Sequence, residues 1–194
     1  MATFGTTTIG GSTESTGGDG KVICRYQLTE AGTITGIHFY TDGASGNLRG
    51  TLWSDNAGAP NALLGSTPAS TMTGPKWYDM VLSVPYVAAA AWYWLGATWD
   101  SQTNWYYAAT SANSYWDYDY DLNKPTQAIA ENVISVHANY TPSGGGVTVK
   151  KGSSLVKTMT TMLNSKMLYN ACNRFPKPKG QSRRFPPFNP RIVT

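Results

Sequence analysis

The sequence predicts an all-β fold, an antiparallel β-sandwich of jelly-roll type, on three observations. Only 13% of the 194 residues are charged, while Gly, Thr, Ser, Tyr and Trp are abundant, a composition typical of turn-rich β proteins. Short alternating or β-branched runs recur along the chain between Gly, Pro, Asn and Asp residues. No helical segment of ten or more residues separates these runs, as the crossovers of a parallel sheet would require. The hydrophobic content of 41% is sufficient for a core of ordinary domain size.

Eight strands are predicted from these runs. In chain order they are 21–28, 33–41, 48–54, 76–84, 91–99, 104–110, 114–120 and 132–140. Between the third and fourth strands, Asn56, Gly58 and Pro60 each supply turn geometry, so residues 54–61 are predicted to form a tight loop. Eight short strands at this spacing favour a sandwich or a jelly roll.

The charge is divided between two parts of the chain. Residues 1–142 hold eleven acids and five bases, a net charge of −6, whereas residues 143–194 hold ten bases and no acid, a net charge of +10. The flexible sequence TPSGGG lies where the sign changes. We therefore predict a sandwich domain over 1–142, a linker with an apolar appendage over 143–173, and an extended arm over 174–194.

The appendage and the arm differ in composition. Apolar residues in 153–173 come near helical spacing, although a hairpin turning at Lys151 and Gly152 is the alternative. Five prolines beyond Phe175 favour an extended polyproline conformation. Because aromatic rings and bases alternate among these prolines, the arm is predicted to contact protein. The candidate interface residues are Phe175, Arg183, Arg184, Phe185, Phe188 and Arg191.

Other kinds of protein are not favoured by the sequence. The chain starts without a basic and then apolar leader, and no apolar run approaches the length of a membrane span, so neither Sec export nor a membrane partner is expected. Cys24 and Cys172 make no zinc or disulfide pattern and are expected to be free thiols. Common hydrolase and P-loop motifs are missing, and His38 and His137 lie singly on predicted strands. The chain is predicted not to be an enzyme, with no catalytic residue, metal or cofactor.

Aromatic residues concentrate between Trp77 and Tyr120, a segment with fourteen of the 24 rings. Trp77, Trp92 and Trp94 are expected mainly in the core. Other rings fall in loop-like sequence and are predicted to form a contact surface for a glycan or a protein. These candidate contact residues are Trp105, Tyr106, Tyr107, Tyr115 and Trp116.

The sequence WDYDYDLN at 116–123 alternates strictly between acids and other residues. As a strand it would place Asp117, Asp119 and Asp121 on one face, too far apart to share one cation. As a loop it would leave calcium binding open, although the Gly and Glu positions of an EF-hand are not matched. The other interpretation is a solvated acidic stripe onto which the basic arm could dock.

Four sequences between Ile34 and Ala109 follow one another in a characteristic order: ITGIHFYTDG, GTLWSDNAGAPNALLGS, KWYDMVLSVPYVAAAAWYWLGATW and WYYAA. This order resembles a β-sandwich module of unknown function found in secreted bacterial proteins, often beside glycan-acting domains, and in phage structural proteins. The matching elements are core and turn residues, so the resemblance implies the fold more than a function. The region after Gly144 has no counterpart in the module.

These observations predict a non-enzymatic structural protein of a virus or phage particle, a capsid or tail surface subunit. It would join copies of itself and other particle subunits through its C-terminal arm. A chain that resembles an extracellular module but has no export signal fits release within a virion. The alternative is an extracellular carbohydrate-binding module with an aromatic surface. Nucleic-acid binding by the basic tail is less favoured, because the acidic domain would repel the same polyanion.

Overall fold

The computed structural model describes residues 1–144, apart from the side chains of 110–112 and 130–131. All regular structure in this part of the chain is β-strand, which confirms the predicted all-β antiparallel sandwich. The strands are β1 (Ala2–Gly5), β2 (Ser12–Thr16), β3 (Gly20–Leu28), β4 (Gly32–Thr41), β5 (Asn47–Asn56), β6 (Ala59–Ser66), β7 (Ser70–Thr71), β8 (Lys76–Ala88), β9 (Ala91–Trp99), β10 (Thr103–Asp117), β11 (Gln127–Ile134) and β12 (Val136–Pro142). None of the described segments is a helix with the length and apolar character needed to cross a membrane.

Two antiparallel layers face each other. The first layer has the strand order β8-β4-β12-β1, and the second has the order β6-β5-β9-β3-β10-β11. The hydrogen-bonded path is nevertheless continuous, because β10 passes from one layer to the other. Trp105 near its start pairs with Thr41 of β4, whereas its last four residues pair with β3. A bulge between Ala109 and Asn113 separates these two halves of β10.

The main core lies between the layers and follows from the two-residue period of the strands. On β4, Ile37 and Phe39 are buried in the core, while the alternate residues His38 and Tyr40 lie on the outer face. The Phe39 ring packs against Trp99 of β9, with ring centroids 5.9 Å apart. Burial of these side chains stabilises the sandwich and holds the outer-face residues in a defined register.

A smaller buried cluster lies on the outer face of the second layer. Ile23, Trp53 and Trp94 are buried there, and Leu63 and Tyr115 pack against them. The register explains the cluster, because Trp53 and Trp94 are direct cross-strand partners and Tyr115 is opposite Ile23. Neighbouring large side chains therefore exclude water on a face that no second sheet covers.

Each predicted strand overlaps an observed strand, but the division of the chain into strands differs at two places. The predicted strands 104–110 and 114–120 both belong to β10, which ends at Asp117. The predicted strand 132–140 is divided at Ser135, whose N–H donates to the Tyr106 carbonyl and whose carbonyl accepts the Tyr40 N–H. Four observed strands, β1, β2, β6 and β7, were not predicted, because their small and polar residues obscure the apolar alternation.

The prediction of a loop over 54–61 is wrong in its length. β5 continues to Asn56 and β6 begins at Ala59, so Ala57 and Gly58 alone make the turn. Both have positive φ, 52° and 90°, the conformation that matches a two-residue turn to the twist of its strands. Asp55 closes the turn by accepting the Gly58 N–H at 3.2 Å.

The last described strand, β12, ends at Pro142, and the Ser143 N–H donates to the Ala31 carbonyl at 2.9 Å. The division of the chain into 1–142, 143–173 and 174–194 stays a prediction. From residue 145 onward the predicted appendage and arm lie outside the described residues. The same holds for the candidate interface residues Phe175, Arg183, Arg184, Phe185, Phe188 and Arg191.

Candidate functional site

Five aromatic side chains share the outer face of the first layer, which we call the ring face. They are His38 and Tyr40 of β4, Trp77 of β8, Tyr106 of β10 and His137 of β12. All five are partly exposed. They point outward because their neighbours in the strands supply the core, and cross-strand pairing then sets the rings side by side.

The rings contact one another in a continuous row. His38 and His137 are stacked, with centroids 4.6 Å apart and an interplanar angle of 6°. Trp77 packs edge-on against His137 at 4.9 Å and against Tyr40 at 5.6 Å. Tyr40 in turn meets Tyr106 edge-on at 4.9 Å. These packed rings form a rigid surface with a large apolar area and polar edges.

The histidine end of the ring face borders an exposed carboxylate. Nδ1 of His38 lies 2.5 Å from Oδ1 of Asp79, whose side chain is 77% exposed. Burial, and then the neighbouring His38, lower the pKa of His137, although Asp79 acts in the opposite direction. His137 is therefore neutral at pH 7.

A polar cleft of about 330 Å³ adjoins the tyrosine end of the ring face. It lies between residues 42–45, which follow β4, and residues 101–104, which lead into β10. Asp42 accepts the Asn104 N–H at 3.0 Å and the Asn104 side-chain amide at 2.7 Å. The Tyr106 hydroxyl also donates to Asp42, at 3.3 Å, so Tyr106 belongs to both the ring face and the cleft.

Charge and hydrogen bonding hold the cleft in shape. Burial, and then Asp42, raise the pKa of Tyr106, so its hydroxyl stays protonated and remains a donor. Next to the cleft residue Ser101, Asp100 accepts the Asn47 N–H at 2.5 Å and its side-chain amide at 2.7 Å. Burial acts to raise the pKa of Asp100, but the hydrogen bonds from Asn47 outweigh it and the pKa is lowered. The carboxylate therefore persists and keeps the two loops together.

The five predicted contact residues do not form one surface. Trp105 is 2% exposed and lies in the main core, which corrects the expectation that it is a surface residue. Tyr107 packs on Trp105, with centroids 5.1 Å apart, and Trp116 is also partly buried against the main core. Tyr115 packs against Trp94 in the smaller cluster at 5.2 Å. Tyr106 is the one residue of the five on the ring face.

The tryptophans expected in the core take three different positions. Trp94 is fully buried, Trp77 is on the ring face, and Trp92 is 41% exposed. Sequence reasoning missed the ring face as a set, because its members come from four strands. The alternation of ITGIHFYT was nevertheless a usable signal, since His38 and Tyr40 alternate with Ile37 and Phe39.

The acidic sequence at 116–123 does not continue as a strand, which corrects that interpretation. β10 ends at Asp117, and the buried amine of Lys21 forms ion pairs with Asp119 and Asp121. The same amine donates to the Asn123 carbonyl at 3.0 Å. Burial acts to raise the pKa of Asp121, but Lys21 outweighs it, and the pKa is lowered. Lys21 thus supplies the positive charge that these two acids share.

Comparison with known proteins supports the class of fold. No protein-family model matches the sequence, and no curated protein sequence matches it. The solved structure of the clostridial cysteine protease Cwp84 after propeptide cleavage is similar, with a TM-score of 0.52 and 11% identity over 69% of this chain and 38% of that chain. A second structure contains the cysteine protease and lectin-like domains of Cwp84, a surface layer associated protein of Clostridium difficile. Its TM-score is 0.48, at 11% identity, over 68% of this chain and 36% of that chain.

The likeness to the first of these structures, a cysteine protease, contradicts the prediction that the chain is not an enzyme, and that prediction is withdrawn. This chain matches less than two thirds of either Cwp84 chain, and at 11% identity the likeness shows the fold alone. No protease activity is therefore carried over. Cys24, the cysteine within the described residues, is buried, and burial raises the pKa of its thiol, which is the chemistry of a structural cysteine.

Proposed function

We propose that the described domain is a carbohydrate-binding module whose ring face and adjoining cleft hold a glycan. The observation that carries this proposal is the position of Tyr106. Its ring extends the ring face, and its hydroxyl donates to Asp42 in the cleft. A pyranose has an apolar C–H face that stacks on an aromatic ring and hydroxyls that bond to carboxylates and amides. The ring face and the polar groups of the cleft therefore lie next to each other, as the binding of a sugar requires.

The charge of the site favours neutral or amino sugars over acidic ones. Asp42 and the exposed Asp79 lie at opposite ends of the ring face, within a region that carries an excess of acids. A uronic acid or a sulfated sugar would be repelled by these carboxylates. Neutral glycans outside the cell are thus the proposed ligands, in keeping with the resemblance of residues 34–109 to modules of secreted proteins.

The test is binding of the full chain to a glycan array and to neutral polysaccharides in affinity gels. We expect Trp77→Ala to reduce affinity at least about fivefold, because stacking on one ring contributes on the order of 1 kcal/mol or more. Tyr118→Ala is the matched control, since Tyr118 is 63% exposed and packs against Trp116, away from the ring face. If Trp77→Ala and the wild type bound the glycan equally well, the ring face would not be the binding surface.

A second candidate function is that of a particle-surface subunit, and exposed valines on β8 favour it. Val81, Val84 and Val87 are 70%, 73% and 75% exposed. Within the described residues β8 pairs with β4 alone, so its other edge is open. An open edge with apolar side chains suits contact with another protein. We propose that virion or tail assembly, with the arm 174–194 as a further contact, would use this edge.

Particle assembly tests the second candidate directly. Deleting residues 174–194 should leave a folded chain that no longer joins particles, and Phe185→Ala with Phe188→Ala should have nearly the same effect. Arg183→Ala with Arg184→Ala separates protein contact from nucleic-acid contact. Normal assembly of the Phe variant, together with loss of nucleic acid in the Arg variant, would contradict the protein-arm proposal.

A further inference from the structure

An exposed tryptophan on the outer face of the second layer lies beside an ordered ion pair. Trp92 is directly opposite Gln27 in the register of β9 and β3. The guanidinium carbon of Arg25 lies 4.4 Å from the centroid of the Trp92 ring. We call Trp92, Arg25, Gln27 and Asp55 the Trp92 platform. Arg25 supports one face of the tryptophan ring, a contact that orients the ring before any ligand arrives.

Asp55 holds this platform in position. It accepts hydrogen bonds from Nε of Arg25 at 2.8 Å, from Nη2 of Arg25 at 2.9 Å and from Nε1 of Trp94 at 2.9 Å. Burial acts to raise the pKa of Asp55, but the hydrogen bonds from Arg25, Gly58 and Trp94 outweigh it and the pKa is lowered. The two hydrogen bonds to Asp55 therefore neutralise the charge of Arg25 and fix the position of its guanidinium group.

Of the three N–H groups of Arg25 that do not contact Asp55, two are on Nη1, and these two have no partner among the residues that the structure describes. They lie close to the β5–β6 turn, where a Cβ added at Gly58 would come 3.9 Å from Nη1. In that turn Ala57 adopts a left-handed conformation that is unfavourable for alanine. The small residues of the turn leave room beside Nη1, and the Asp55 contact with Gly58 maintains that shape.

We propose that the Trp92 platform is a second carbohydrate subsite, on the opposite layer from the ring face. One face of a pyranose would stack on Trp92, and its hydroxyl oxygens would accept hydrogen bonds from Nη1 of Arg25 and from the Gln27 amide. An anion gains little here because Asp55 already neutralises Arg25. A purely apolar partner would leave the Nη1 donors without acceptors. A neutral sugar ring needs no net positive charge for binding, and its hydroxyl oxygens would accept the hydrogen bonds from Nη1.

The two sites would allow one chain to bridge two glycans. Trp92 is near the start of β9, and Asp100, the neighbour of Ser101 in the polar cleft, follows its end. Eight residues of extended strand span roughly 26 Å, and the sites are on opposite outer faces. Two independent sites on one rigid sandwich increase avidity for a surface that carries many copies of a glycan.

The test uses the full chain and a panel of soluble neutral polysaccharides, namely xylan, mannan and mixed-linkage β-glucan, with affinity gels as the measurement. We expect Trp92→Ala and Gln27→Ala each to weaken binding at least about threefold in a Trp77→Ala background, with Trp92→Phe retaining most of it. Unchanged binding in both variants would overturn the subsite, and so would complete loss of binding in Trp77→Ala alone. Gln27→Ala leaves the Arg25 and Trp92 contact intact, so its result does not depend on the folding of Trp92→Ala.

The outcome also separates this inference from the proposed function. Loss of binding in Trp92→Ala, with no change in Trp77→Ala, would support the Trp92 platform and contradict the ring face. The reverse result would support the ring face and contradict the Trp92 platform. A wild-type chain that binds none of these polysaccharides and no glycan on the array would contradict both.

Discussion

The outer faces of the two layers carry similar aromatic side chains, but one face is open and the other is largely closed. On the first layer, Trp77 and Tyr40 remain partly exposed beside histidines and a carboxylate. On the second layer, Trp53 and Trp94 bury each other across neighbouring strands, and Trp92 alone of its tryptophans stays exposed. Residue type therefore does not decide exposure on an outer face. The surrounding side chains decide it: Ile23, Leu63 and Tyr115 pack around Trp53 and Trp94 and exclude water, whereas Trp92 is opposite the polar Gln27.

The largest expected effect comes from removing the centre of the closed face. Trp94→Ala should lower the free energy of unfolding by about 3 to 5 kcal/mol, since the ring is fully buried and truncation leaves a cavity. It also removes the indole donor to Asp55. Urea unfolding followed by far-UV circular dichroism measures the change. A loss below about 1 kcal/mol would show that the smaller cluster contributes little to stability.

Asp55→Asn should have an intermediate effect and should change the response to acid. The pKa of Asp55 is lowered in the folded state, so its stabilisation is present above the unfolded-state pKa and is lost as pH falls through the folded-state value. We expect the substitution to lower the free energy of unfolding by about 1 to 2 kcal/mol at pH 7. The expected loss is not larger because Arg25 and Asp55 are partly exposed and solvent screens their interaction. Thermal unfolding between pH 2 and pH 7 is the measurement. The difference between variant and wild type should shrink in acid; a constant difference would argue against the ion pair.

Trp77→Ala should cost less stability than Trp94→Ala because its ring is partly exposed on the open face. We expect a loss of about 1 kcal/mol, together with the loss of glycan affinity described above. Chemical unfolding and affinity gels on the same preparation give both quantities. If the two tryptophan variants lost equal stability, the contrast between the open and the closed face would not hold.

The smallest expected effect concerns His137 on the open face. Because its pKa is lowered in the folded state, protonation favours the unfolded chain, and the stability present above the unfolded-state pKa declines as pH falls below that value. His137→Gln should flatten this decline between pH 7 and pH 5. The midpoint of thermal unfolding at the two pH values is the measurement, with Tyr118→Ala as a control that should retain the wild-type slope. A wild-type slope in His137→Gln would assign the pH dependence to other groups.

Much of the fold could be predicted because its strands alternate regularly. In ITGIHFYT, buried and outward-facing residues alternate from Ile37 to Thr41, and the predicted strand 33–41 begins within one residue of β4. The contact surface could not be predicted in the same way, because the bulge in β10 reverses the alternation. Trp105 and Tyr107 pack against the main core before the bulge, whereas Trp116 does so after it. Nothing in the residue types marks the extra residues of a bulge.

The sequence by itself determined the class of fold, since its turn residues and two-residue periods are compatible with short antiparallel strands and little else. Only the tertiary structure decided which strands became neighbours. That pairing joins His38 to His137 and Tyr40 to Trp77 on an open face, and Trp53 to Trp94 in a closed cluster. The physical reason is that strand pairing depends on contacts between residues far apart in the sequence. The packing of the whole core, rather than the residues of any one strand, determines which pairing is most stable.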